Sequence, residues 1–160
     1  MRLVNVVAAL AVALVAVPAS AQSACRDDRV EIRGDFGSVR FRVDVVDTPQ
    51  GRAQGLMHVP EMPRMAGMLF VYDRPQGVSF WMENTLIPLD MLFADETGVI
   101  RRIHENAVPL DRTAIDGGDD VQFVLEINGG MSETLGLSEG DVMRHPAIPQ
   151  DQAAWACAAE

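Results

Sequence analysis

The sequence predicts an α+β protein that is mainly β: a single compact domain on a curled or barrel-like, mostly antiparallel sheet with two short helices. Three observations carry this reading. Val39, Phe41, Val43 and Val45 alternate with Arg40, Arg42 and Asp44, the period-two pattern of a half-buried strand. Further short apolar runs recur as far as residue 144, separated by polar and glycine-containing turns. No internal repeat or linker divides residues 29–145.

The elements follow in order. Val30 and Ile32 predict a short strand paired to residues 39–45 through a turn at residues 34–37. Thr48-Pro49 reads as an N-cap with proline in the first helical position, opening a short helix that runs to about Gly55. Residues 67–72 form a continuous apolar run, the signature of a buried strand. Residues 78–82, 89–94 and 99–106 read as three successive strands, the last two joined by a hairpin turn at Asp95-Glu96-Thr97-Gly98. Gly117-Gly118-Asp119-Asp120 reads as a polar turn before a strand at 121–127. A second short helix spans residues 130–137 with Ser132 as a possible cap, and residues 140–144 close the sheet.

The ends differ from this core. Arg2, the Ala/Val/Leu run of residues 6–17, Pro18 and the small-x-small triplet Ala19-Ser20-Ala21 read as a cleaved export signal over residues 1–21. The apolar run is short for a membrane span of about 20 residues, which disfavours an uncleaved anchor. Gln22-Ser23-Ala24 lacks the aliphatic residue expected three positions before a lipidated cysteine, which disfavours lipidation of Cys25. Cleavage leaves residues 22–160, or 160 − 21 = 139 residues, enough for one domain with a real core. The expected location is the periplasm or the exterior, with no stable membrane insertion after cleavage. Residues 146–160 are rich in Pro and Ala and read as a tail. Cys25 and Cys157, one near each end, are most simply a disulfide in an oxidising compartment.

Thirteen basic residues face 23 acidic ones, a net charge of −10, so nucleic acid and anionic membranes are not expected partners. Every basic side chain is arginine, which excludes lysine nucleophiles and Schiff-base chemistry. There is no G-x-S-x-G elbow, P-loop, H-E-x-x-H or C-x-x-C. No cofactor is predicted.

The most informative segment is Ser79-Phe80-Trp81-Met82-Glu83-Asn84-Thr85-Leu86-Ile87-Pro88-Leu89-Asp90, where polar groups interrupt apolar sequence. With Arg52-Ala53-Gln54-Gly55-Leu56-Met57, Gly67-Met68-Leu69-Phe70, residues 103–110 and residues 124–130, it resembles the family called domain of unknown function 192 over about residues 38–144. The resemblance implies a fold and no known reaction.

The candidate ligand-binding residues are Trp81, Asn84, Thr85, Asp90, His104, Glu105 and Asn106. Asp90 sits among Leu89, Met91, Leu92 and Phe93, so its carboxylate needs partners or carries acid–base work; Arg52 is the expected partner. Trp81 on a mixed strand face can stack on a flat ligand or plug a core edge. His104-Glu105-Asn106 ends a strand, a common place for recognition or for a solvated His. Arg52 and Glu126 are expected in structural roles. The leading reading is a module that binds a small ligand or an envelope partner through a cleft near the Asn84–Asp90 turn. One alternative is a hydrolase-like enzyme using Asp90, His104 and Glu126. The other is a copper protein using Met57, His58, Met62, Met65 and Met68, against which stands ordinary core filling by methionine.

Overall fold

A computed structural model describes residues 24–157. The segment read as an export signal, residues 1–21, lies outside the described residues, as do residues 22–23 and 158–160.

Seven strands form one sheet in the order β5-β4-β6-β3-β2-β1-β7. β1 (Arg29–Gly34) and β2 (Gly37–Val46) make the expected hairpin, with Ile32 opposite Val39. Helix α1 (Pro49–Gln54) starts as predicted: the Thr48 side chain accepts from the Gly51 N–H at 3.1 Å, and proline follows the cap. The connection returns the chain to β3 (Ala66–Phe80), which lies parallel to β2; its other sheet neighbour, β6, is antiparallel. β4 (Leu89–Ala94) and β5 (Ile100–Ala107) form the hairpin over the Asp95–Gly98 turn, where Asp95 Oδ1 accepts from the Thr97 and Val99 N–H groups. β6 (Ile115–Asn128) runs between β3 and β4. After α2 (Met131–Leu135), β7 (Val142–Arg144) pairs with β1, and Val142 also bridges to Val99. The two ends of the curled sheet therefore meet at one bridge.

Three expectations are corrected. The strands expected at 67–72 and 78–82 are one 15-residue strand. Asp73-Arg74-Pro75 stays extended, and the chain bends through register shifts against β6 between Val71 and Ser79 rather than through a turn. Trp81 lies just beyond this strand. β6 begins at Ile115, so Gly117 and Gly118 lie inside it; a Cβ on Gly117 would come within 2.5 Å of the Phe93 ring. Ser132 caps nothing: α2 opens from Gly130 at φ 78°, with no side-chain cap of its own.

The sheet buries both faces. Val30, Ile32, Phe41, Leu69, Leu92, Phe123, Leu125 and Ile127 fill the inside of the curl. Phe70, Met82, Leu89, Met91, Phe93 and Val124 form a second cluster on the other face, under the connection after α1 and residues 81–88. This two-sided burial accounts for β4, where every residue is buried. The expected disulfide is present between Cys25 and Cys157. No helix among the described residues is long and apolar enough to cross a membrane.

Candidate functional site

Register decides where the Asp90 and Glu126 carboxyls point. On β4, Asp90 lies opposite Ile127, whereas Met91 lies opposite Glu126. Adjacent strand residues face opposite sides, so Asp90 and Glu126 occupy opposite faces of the sheet.

Asp90 is fully buried and fully used. Its Oδ1 accepts from the Asn106 N–H at 2.8 Å and the Gly130 N–H at 2.9 Å, and its Oδ2 accepts from the Ser132 N–H at 2.7 Å. The carboxylate thus ties the end of β5 to the start of α2 and supplies the acceptor that helix lacks in its own sequence. Arg52 is not its partner. Its Nη1 donates to the carbonyls of Asp47 at 2.5 Å and Val71 at 2.8 Å, and its guanidinium lies 4.7 Å from the centre of the Tyr72 ring.

Glu126 is different. Only 4% exposed, it lies on the floor of an open pocket of about 320 Å³. Its carboxyl has no hydrogen-bond or charge partner among the described residues, and burial alone pushes its acid group up to about 8. The pocket is walled by Arg52, Leu56 and Met57 from α1 and its sequel, by Phe70, Tyr72 and Phe80 from β3, and by Trp81 and Thr85. Its shape follows from local sequence. α1 buries none of its residues, and Leu56 is the plug that seats the connection on the sheet. Gly55 turns the chain at φ 47°, where a Cβ would stand 3.2 Å from the Phe70 ring. Phe80 packs edge-on against both Phe70 and Phe93. Burial raises the Tyr72 hydroxyl above its ordinary range; the Arg52 charge opposes this and the Glu126 charge adds to it.

Of the residues expected at the site, Trp81 and Thr85 line this pocket with Arg52 and Glu126. Trp81 is 50% exposed. Asn84 stands at the adjoining turn with φ 56°. Its carbonyl accepts from the His58 N–H at 2.9 Å and its amide donates to the Met57 sulfur at 3.9 Å, tying the two walls together. His104, Glu105 and Asn106 line a separate hollow with Met82 and Thr113. His104 is opposite Met91, itself opposite Glu126, so His104 and Glu126 are two strands, or about 10 Å, apart with Met91 between them. The hydrolase constellation of Asp90, His104 and Glu126 is therefore not assembled. Met62 and Met68 pack against the second apolar cluster, and Met65 is exposed. Among the described residues no three His, Cys, Asp or Glu side chains gather around a metal-sized space. A larger hollow of about 700 Å³ is lined by Asp95, Glu96, Asp119 and Asp120, but Asp95 is satisfied there by Thr97, Val99 and Arg101.

A family model described as DUF192, Uncharacterized ACR, matches residues 30–145. The chain belongs to the DUF192 family. Two solved structures resemble this DUF192 domain. A protein of unknown function from Novosphingobium aromaticivorans DSM 12444 is 37% identical, with a TM-score of 0.71 over 72% of this chain and 82% of that one. A putative transcription regulator from Sinorhizobium meliloti 1021 is 38% identical, with a TM-score of 0.74 over 79% of this chain and 99% of that one. No curated protein matches.

Proposed function

We propose that this DUF192 domain is an exported binding module that holds a small organic ligand in the pocket above Glu126. One observation carries the reading: Glu126, 4% exposed as a residue, turns a carboxyl that no described group hydrogen-bonds toward an open pocket. The carboxyl oxygens keep a little solvent contact through the pocket, in surroundings where burial disfavours the charge. A ligand group that completes the carboxyl's hydrogen bonds gives it a reason to be there. The half-exposed Trp81 indole at the pocket wall offers a flat apolar face for the rest of the ligand. Export is supported by the residues 1–21 pattern and by the Cys25–Cys157 disulfide, a bond of oxidising compartments. The regulator description belongs to the Sinorhizobium meliloti relative; for this chain a net charge of −10 weighs against nucleic acid as the ligand.

A thermal-shift panel of sugars, amino acids, cell-wall fragments, nucleotides and metals on residues 22–160, disulfide intact, tests the reading. A ligand at about 100 times its Kd adds roughly 2.7 kcal/mol and raises the midpoint by several degrees. The expected result is such a shift, lost in Trp81→Ala. A shift that survives both Trp81→Ala and Glu126→Gln would place binding elsewhere. A panel without any shift would favour an envelope protein as the partner.

A further inference from the structure

We propose that the ligand is a cation, an ammonium or substituted amine, seated on the Glu126 carboxylate between aromatic faces, and that its binding releases one proton to solvent. The inference rests on the pocket reading above and names the chemical class it would take. The chain has six Phe, two Trp and one Tyr, and four of these nine aromatics line this one pocket: Phe70, Tyr72, Phe80 and Trp81. A single carboxyl in a pocket lined by four aromatic side chains suits an organic cation, since ring quadrupoles and the counter-charge attract the same group. The pocket's own residues already use one half of this chemistry, with the Arg52 guanidinium over the Tyr72 ring.

An anionic ligand fits less well. It would meet the Glu126 carboxyl at the floor and would depend on Arg52, whose Nη1 is held by the Asp47 and Val71 carbonyls. The charged and titratable groups sharing the pocket with Glu126 are Arg52 from α1 and Tyr72 from β3. β4 offers only Met91 opposite it, and residues 81–85 offer Trp81 and Thr85. The Arg52 charge acts on Tyr72 and not on Glu126, whose shift comes from burial alone.

The proton balance follows. In the empty pocket near neutral pH, Glu126 is mostly a carboxylic acid, because burial pushes it up to about 8. An arriving ammonium replaces the acid proton as the positive partner: the O–H bond breaks, the carboxylate pairs with the cation, and H⁺ leaves to water. Apparent affinity for a permanent cation therefore rises about tenfold per pH unit below that value and levels off above it.

The test follows the indole N–H resonance of Trp81 by NMR in the folded, disulfide-bonded chain. Only Trp81 and Trp155 contribute such signals, and Trp81→Phe assigns them. The probes are benzylamine, benzyltrimethylammonium, benzyl alcohol and benzoate; the quaternary cation has no titration of its own. The expected result is a shift with a cation, about tenfold stronger binding per pH unit between pH 6 and 7.5, and at least tenfold weaker binding in Glu126→Gln. Benzyl alcohol or benzoate binding as well as the cations would overturn the charge assignment while leaving the pocket reading intact. Cation binding that ignores pH and survives Glu126→Gln would overturn it too. No response to any probe would overturn the cation class; the pocket reading falls with it only if the broader thermal panel is also flat.

Discussion

Two carboxyls in apolar strands have opposite fates, and each predicts its own response to amidation. Asp90 accepts three backbone N–H groups. Asp90→Asn replaces one oxygen with an NH₂ that faces a donor, so the variant loses charge-assisted hydrogen bonds and leaves a buried N–H unpaired. Stability should fall by about 2–4 kcal/mol, read from urea unfolding. An unchanged midpoint would mean that the anchor at the start of α2 is dispensable. Glu126→Gln should do the reverse. The folded acid group stands at about 8 against an ordinary 4.5, so the folded state holds its proton more tightly than the unfolded chain. Its contribution is greatest below the unfolded value and is lost as pH rises through the folded one. The wild type should therefore lose on the order of 3 kcal/mol between pH 4.5 and 7 from this group, and Glu126→Gln should flatten that slope. His145 acts in the other direction. Burial holds its imidazole below the ordinary range, so its contribution is full above about 6.5 and declines as pH falls through the lowered value. A parallel pH series on Glu126→Gln separates the two.

At the level of elements, what was legible depended on whether the deciding contact was local. Thr48-Pro49 announces α1, and the alternation of Val39 to Val45 announces β2, because caps and period-two burial are written in adjacent residues. The acceptor at α2 was not legible, because it is Asp90, 42 residues away from Ser132. Nor was the unity of β3: Pro75 and Gly77 look like a turn until β6 is beside them to take up the bulges. The site divided in the same way. Trp81 and Thr85 stand out in their segment, whereas Glu126 reads as structural, or at most as a second carboxylate beside Asp90 and His104. Which of Asp90 and Glu126 faces a pocket depends on the pairing of β4 with β6, which no single segment encodes. Tyr72, Phe70 and Phe80 are not legible as pocket residues, because an aromatic in a buried run reads as core. The α1 connection makes them a pocket wall, and Gly55 sets its approach. Gly55→Ala places a Cβ at φ 47° and 3.2 Å from the Phe70 ring. It should cost about 1–2 kcal/mol in unfolding experiments and weaken whatever ligand the thermal panel finds. Undiminished affinity would mean that the position of α1 does not shape the pocket.

Across the whole molecule, the ends of the chain hold the curl closed. Among the described residues the sheet meets itself where Val142 bridges to Val99 and the Gly140 N–H donates to the Ile100 carbonyl, and the segment after β7 packs over that region. Ile148 is buried in the inner core, the Ala154 N–H donates to the Thr97 carbonyl, and Trp155 lies between the Arg33 and Arg144 guanidinium groups, 4.6 and 4.3 Å from its ring. Arg144 also pairs with Glu31, which binds Arg40 on the neighbouring strand at 2.8 Å. The Cys25–Cys157 bond spans 132 positions of sequence, so it restricts nearly the whole unfolded chain. Chain entropy for a loop of that length gives about 5 kcal/mol, an upper figure because a compact unfolded state has less freedom to lose. Cys25→Ser with Cys157→Ser should lower the urea midpoint accordingly and leave the pocket's affinity unchanged, since no residue beyond Glu126 lines it. A loss below about 1 kcal/mol would mean that the packing of Ile148 and Trp155 holds the tail without the bond. A loss near the full figure, with Trp155 emission already changed before global unfolding, would show that the covalent link keeps the tail in place and the curl shut.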